Sequence, residues 1–282
     1  MRKKVFKRIE KRIDDAEKAV RTLRRGRKSR PVDAEALHVF RIGLRRIEAS
    51  ARILRSVDKK ARVEPTLVTI KKLLGSTGGI RDEEVLPEVL PPELSSPEFR
   101  DWVHRRGRVL LEREARLSAT LDRYLPRGFV LSSQRAILAP FSRIKGKALA
   151  KRAKAMIRKD CRRLKSMSSK LEKNKRDERF LHKYRVRSKR LGYVLDLMKP
   201  VLPTEIRQLR RLAVLNQTQF GRLHDLDAAI ELLEGDARLI PPERDRLSRQ
   251  LREVRKEFLK RALKCGNRLG KELSFLADSR QL

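Results

Sequence analysis

The sequence predicts an all-α fold. Apolar residues recur at three- and four-residue steps through most of the chain, and no run alternates apolar with polar between hairpin turns. Val5, Ile9, Ile13, Ala16, Val20 and Leu23 place one amphipathic helix over residues 2–25, ended by Gly26. A second helix starts after Pro31, with Asp33 suited to cap it, and runs to Val57. A third covers 63–75 and stops at "GSTGG". "EEVLPEVLPPELSSPE" (83–98) holds prolines and glutamates and no basic residue, which predicts a short helical turn followed by a surface loop. Further helices are expected at 98–124, 147–173, 178–199, 204–219, 223–234 and 242–274. The breaks fall at Pro126, Pro140, Lys173–Asp177, Pro200/Pro203 and Pro241/Pro242.

Charge narrows the function. The 282 residues carry 73 Lys+Arg against 36 Asp+Glu, a net charge of +37. Such an excess destabilises a folded chain by self-repulsion unless a polyanion sits among the charges. Nucleic acid, an anionic membrane surface and inorganic polyphosphate all meet that need. Two cysteines, Cys161 and Cys265, lie in polar helical segments and show neither a disulfide framework nor zinc spacing. The charged start "MRKKVFKRIEKR" lacks a signal-peptide apolar segment, and no apolar run approaches the ~18 residues of a membrane span. The expectation is a cytoplasmic protein without membrane insertion.

An internal repeat singles out the candidate site. "HVFRIGLRRIEASARIL" (38–54) is echoed 144 residues later by "HKYRVRSKRLGYVLDLM" (182–198). His38 matches His182, Arg41 matches Arg185, Arg45 matches Lys189 and Arg46 matches Arg190. Leu37, Phe40, Ile47, Ala51 and Leu54 match Leu181, Tyr184, Leu191, Leu195 and Met198. Ile9, Ile13 and Val20 fall over Ala153, Ile157 and Leu164 at the same offset. "GGIRDEEVL" (78–86) lies 143 residues before "GRLHDLDAA" (221–229), which pairs Asp82 with Asp225 and Arg81 with His224. One ordered set of three segments at nearly one spacing predicts a single unit of two equivalent halves, about 1–140 and 141–282, packed about a pseudo-two-fold axis.

On a helix His38, Arg41, Arg45 and Arg52 fall within roughly 60° of one another, and the apolar stripe lies about 120° around from them. His182, Arg185 and Lys189 repeat the cluster. Arg46 and Arg190 point somewhat away. Side chains at the edge of a buried stripe can pack their stems while their heads face a groove, where partial desolvation strengthens attraction to an anion. Lys147, Lys151, Lys154, Arg158 and Lys165 line a second basic face. Lys3, Lys7, Lys18 and Arg21 hold the matching places in the first half, interrupted by Glu10 and Asp14. The neighbouring arginines should lower the histidine pKa in the empty site, and bound phosphate should raise it. His104 has no repeat partner and is read as ordinary. Asp82 and Asp225 suit either helix capping or an ion pair that orients a site arginine.

"LHVFRIGLRR" with "GGIRDEEVL", and "LHKYRVRSKR" with "GRLHDLDAA", resemble the CHAD family, the conserved-histidine α-helical domains, over essentially the whole chain. The resemblance implies two helical bundles around a basic central groove or pore that binds inorganic polyphosphate, with association with polyphosphate granules in some bacteria. Carried over by position, the ligands are His38, Arg41, Arg45, Arg46, His182, Arg185, Lys189 and Arg190. Arg52, Lys7, Lys147, Lys151, Lys154 and Arg158 would make secondary contacts. The chain departs from the family pattern at His224, where arginine or asparagine is commoner, and at Gly192, where arginine is frequent.

No catalytic residue, metal ligand or cofactor is expected. A companion triphosphate-tunnel domain of the CYTH type would show an E-x-E-x-K strand. The nearest string here, "EREAR" (112–116), is helical and points Glu112 and Glu114 about 200° apart. Neither a GxxxxGK[ST] phosphate loop nor a two-metal carboxylate cluster is present. Nucleic acid is the rival partner, since phosphate contacts give salt-sensitive affinity for any polyanion. Single-strand binders add aromatic stacking platforms, whereas Phe6, Phe40 and Tyr184 hold apolar helix positions. Nucleic acid is therefore expected only as a weaker, salt-sensitive competitor.

Overall fold

The computed structural model describes residues 2–25, 34–90, 96–124, 129–203 and 206–278, and the described residues in regular structure are helical. α1 (Arg2–Arg25) buries Val5, Ile9, Ile13, Ala16 and Val20, the stripe its spacing defines. It packs against α2 (Ala34–Val57) and α7 (Phe129–Arg143). The α1–α2 crossing is close: a Cβ on Gly43 would lie 2.8 Å from the Ala16 Cβ. α3 (Glu64–Ser76) packs on α2 and on α6 (Pro97–Tyr124).

The second half of the chain builds a similar stack. α8 (Gly146–Ser168) packs against α9 (Glu178–Met198) and α11 (Pro241–Asp278), and α10 (Ile206–Glu234) lies against α9 and α11. Here Gly270 permits the close approach, since its Cβ would fall 2.7 Å from that of Ser168. Asp177 caps α9 by accepting a 3.0 Å bond from the Phe180 amide. α2 joins the two stacks by packing on both α9 and α8. The main apolar core accordingly runs from Val5 to Leu273 without a break between the halves. A second cluster gathers Leu86, Phe99, Trp102, Leu226, Leu233 and Leu251.

Two expectations need correction. Residues 129–143 form a helix where none was predicted, and Pro140 lies inside it rather than ending a segment. Burial of Phe129, Ile137 and Phe141 against the core outweighs the backbone hydrogen bond that the proline forgoes. α10 is continuous where a break was expected between Gln219 and Leu223. Gly221 costs a helix roughly 1 kcal/mol, and the flanking Phe220 and Leu223 are fully buried. The acidic stretch supplies the expected helical turn in α5 (Leu86–Val89) and the end of α4 (Gly78–Glu84), and its expected surface loop falls on residues 91–95, outside the described residues. Glu83, Val85 and Leu86 are buried, and Glu83 accepts hydrogen bonds from Arg106, at 2.9 Å from its Nε. Gly26, Pro31, Asp33 and Pro126 lie outside the described residues. α4 and α5 both dock on α10, and this contact shapes the site.

Candidate functional site

Four helices contribute to one charged cluster. α2 presents His38, Arg41 and Arg45, and α9 presents His182 and Arg185, with Lys189 about one turn further along α9. All are partly buried except His182, which is exposed. α4 adds Arg81, Asp82 and Glu84, and α10 adds His224 and Asp225.

Arg41 is held at the C-terminal end of α3. Its Nη1 donates to the Leu74 carbonyl at 3.0 Å and to the Thr77 hydroxyl. Helix C-terminal carbonyls carry partial negative charge and suit a cation. Burial, then Arg45, still push its pKa down to about 10, against the pull of Asp82 and Glu84. Arg185 is lowered too, by burial first. Asp225 and Asp82 oppose the shift and Arg45 reinforces it. Its Nε is buried and makes no hydrogen bond.

The histidines follow the same physics. Burial is the largest cause for each, ahead of the arginines to which the sequence pattern pointed. His38 is lowered by burial, Arg81, Arg45 and Arg41, with Glu35 opposing. His182, the most exposed of the three, is lowered by its partial desolvation and then by Arg185. His224 falls furthest, to about 4, through burial, Arg185, His182 and Arg45. The His182 and His224 rings lie 5.1 Å apart, tilted by 57°. With Arg185 they line an open groove of about 370 Å³.

The electrostatic links cross between the halves of the chain. Arg45 on α2 acts on Arg185 and His224, Asp82 on α4 acts on Arg185, and Arg81 acts on Asp225. Asp82 and Asp225 are raised by burial while the arginines hold them down. Neither caps a helix. Asp82 lies within α4 and Asp225 well inside the continuous α10, so the capping alternative is withdrawn and the arginine-orienting one remains.

Other candidates lie elsewhere. Arg46 acts on Arg12 and Tyr193 rather than on the histidines. Arg190 reaches Asp160 of α8 at 3.8 Å. Arg52 pairs with Glu48 on its own helix at 2.6 Å, in a separate groove with Arg55 and Glu64. Lys7, Lys147, Lys151 and Arg158 are exposed, and Lys154 is half-buried. Cys161 and Cys265 are buried free thiols, and burial pushes Cys161 up to about 12. Among the described residues no three His, Cys, Asp or Glu side chains could hold a metal ion. No described helix is long and apolar enough to cross a membrane.

The family model of the CHAD domain matches residues 7–234, and again residues 167–267. The chain belongs to the CHAD family. The crystal structure of the CHAD domain from the plant Ricinus communis superposes with a TM-score of 0.69 at 18% identity, covering 94% of this chain and 91% of that one. No curated protein matches by sequence. The CHAD match spans every residue of the charged cluster, from His38 to Asp225.

Two members of this CHAD cluster, Arg81 and His224, were visible in the sequence only as a matched donor position. Arg12, Tyr193 and Asp196 were not singled out. Asp196 accepts from Arg12 at 2.6 Å, a partner 184 positions away. A pair so distant leaves no local pattern to find.

Proposed function

We propose that this CHAD chain is a non-enzymatic binder of inorganic polyphosphate, which lies between α2 and α9 against His38, Arg41, Arg45, His182, Arg185 and Lys189. One observation carries the reading. Arg185 is largely desolvated, attracted by Asp225 and Asp82 and repelled by Arg45, and its buried guanidinium Nε has no protein partner. Burying like charges is costly in the free chain, and an anion in their midst turns that cost into charge-assisted hydrogen bonds. Asp82 and Asp225 balance only part of the cluster and orient the arginines.

The pattern of links supports a pseudo-two-fold arrangement of two half-repeats, about 1–140 and 141–282. Arg41 is attracted to Asp82, and Arg185 to Asp225. Arg46 and Arg190 act from the margins of the site. Lys7, Lys147, Lys151, Lys154 and Arg158 extend the field outward, and Arg52 serves with them once released from Glu48. The same chemistry accounts for the granule association that the family resemblance implies, in a cytoplasmic setting. Polyphosphate is favoured over single-stranded nucleic acid because Phe40, Tyr184 and Phe220 are fully buried and offer bases no stacking face.

The test is charge reversal with competition. Arg185→Glu should weaken long-chain polyphosphate binding by roughly 10- to 150-fold, the range for losing a charged hydrogen bond. Arg41→Glu should cost less, since Arg41 already spends donors on α3. Reversing the exposed pair Lys147 and Lys151 should cost least. Equal losses across all three would remove the localised site. Displacement of bound polyphosphate by duplex DNA or single-stranded RNA as readily as by free polyphosphate would make nucleic acid the better reading.

A further inference from the structure

The cationic face of α9 does not end at the central cluster. Taking Arg185 as zero, Asp196, Lys189, His182 and Tyr193 fall at roughly 20°, 40°, 60° and 80° around the helix, and His182 to Asp196 spans about 21 Å along it. The row is basic from His182 to Lys189, then passes Tyr193 and ends in an acid. The offset of 144 residues puts Arg52 at the matching place in the first half, so the acid breaks the repeat as well as the row.

Asp196 holds three arginines from two other helices. It accepts from Arg12 Nη2 at 2.6 Å, from Arg210 Nη2 at 2.8 Å and Nε at 3.2 Å, and from Arg8 Nη2 at 3.3 Å. One carboxylate therefore serves three guanidiniums. Arg12 is only 4% exposed, and its Nη1 is buried without a hydrogen-bond partner. Beyond it a pocket of about 190 Å³ opens between Arg8, Lys199 and Arg210 over Leu195 and Ile206. Tyr193 lies within the fields of Arg45, Arg46, Arg12 and Arg185, so this end is electrostatically continuous with the central cluster.

We propose that Asp196 sets the chain-length preference of the site: its carboxylate occupies the terminal anion position formed by Arg8, Arg12 and Arg210, and a phosphate chain long enough to pass Tyr193 binds there by displacing it. No covalent step is involved; one anion replaces another on the same donors. Short chains that fill only the Arg185 region leave Asp196 in place. The inference rests on the polyphosphate reading of the central cluster.

The experiment compares tripolyphosphate with long-chain polyphosphate on the full chain, at one fixed salt concentration. Asp196→Asn removes the competing charge and keeps the shape. It should tighten long-chain binding by roughly tenfold and leave tripolyphosphate within about twofold. Arg210→Gln should weaken the long chain alone. An unchanged long-to-short ratio in Asp196→Asn, or an equal gain for both lengths, overturns the proposal, because only the general charge would then matter. If circular dichroism shows Asp196→Asn unfolded, Arg210→Gln decides by the same ratio. Arg185→Glu separates the two levels. If it leaves both ligands bound as before, the central site is wrong. If it weakens both while Asp196→Asn changes nothing, only the role of Asp196 fails.

Discussion

Acidification should act on stability and on binding in opposite directions, and His224 isolates the effect. In the free protein burial, Arg185, His182 and Arg45 hold His224 at about 4, against an ordinary value of 6.5. Above about pH 6.5 the ring is neutral in both folded and unfolded chains and contributes no pH dependence. Below that the unfolded chain takes up a proton and the folded one does not, so stability falls as pH drops through the window from 6.5 to 4. Between about pH 7.5 and 5 the loss is about 2 kcal/mol, an upper figure because the half-buried ring keeps some contact with water. Bound polyphosphate reverses the field. If it restores His224 only to its ordinary value, the same linkage tightens binding roughly 30-fold over the same interval. His38 and His182 are lowered in the same sense and add to both slopes, whereas Asp82 and Asp225, raised by burial, offset part of the stability loss as they protonate and add only to the tightening of binding. The assay is therefore a difference. Titration calorimetry of wild type and His224→Asn at both pH values, in buffers of unlike ionisation enthalpy, counts protons taken up on binding. The variant should show about one proton fewer at the lower pH and a flatter affinity slope. Identical proton uptake in the two proteins would refute the placement of His224 against the ligand.

Other outcomes follow from the packing and from the charge balance. Added long-chain polyphosphate should raise the thermal midpoint, by the equivalent of about 2.7 kcal/mol at a hundredfold excess over Kd, and an unmoved midpoint at saturation would count against binding to the folded form. Gly43→Ala should destabilise by about 1–3 kcal/mol in urea unfolding, because its Cβ meets Ala16 at 2.8 Å with backbone behind it; a neutral result would show that α1 and α2 can separate freely. Glu83→Ala should cost about 3–5 kcal/mol by the same method, since it strands Arg106 beside a buried gap, while Arg113 at 3.5 Å keeps its bond to the Gly79 carbonyl. A loss under about 1 kcal/mol would mean that water already serves Arg106.

Much of the helix pattern was legible because it depends on neighbours in the chain. The stripe from Val5 to Leu23 defined α1, and the stripe that follows the break at Lys173–Asp177 defined α9. α7 escaped because Pro140 argues locally against a helix; its support is the core against which Phe129 and Phe141 pack. Gly221 misled in the same way, since the contacts that keep α10 continuous come from α9 and α11. The cluster around His38, Arg41, His182 and Arg185 stood out through its duplication. The contributions of Arg12 and Asp196 did not, because a lone arginine and a lone aspartate on different helices carry no spacing.

The division has a physical basis. Which residues share a helix face follows from 100° per residue, so the all-α class, the basic faces of α2 and α9 and their separation from the apolar stripe were settled within each segment. How deeply a face is buried, and which charges lie opposite it, depends on how helices far apart in sequence pack. Only the packed chain sets Arg45 beside Arg185, brings His224 down to about 4 and seats Asp196 among Arg8, Arg12 and Arg210. Electrostatic strength varies with distance and desolvation, and both are properties of the fold.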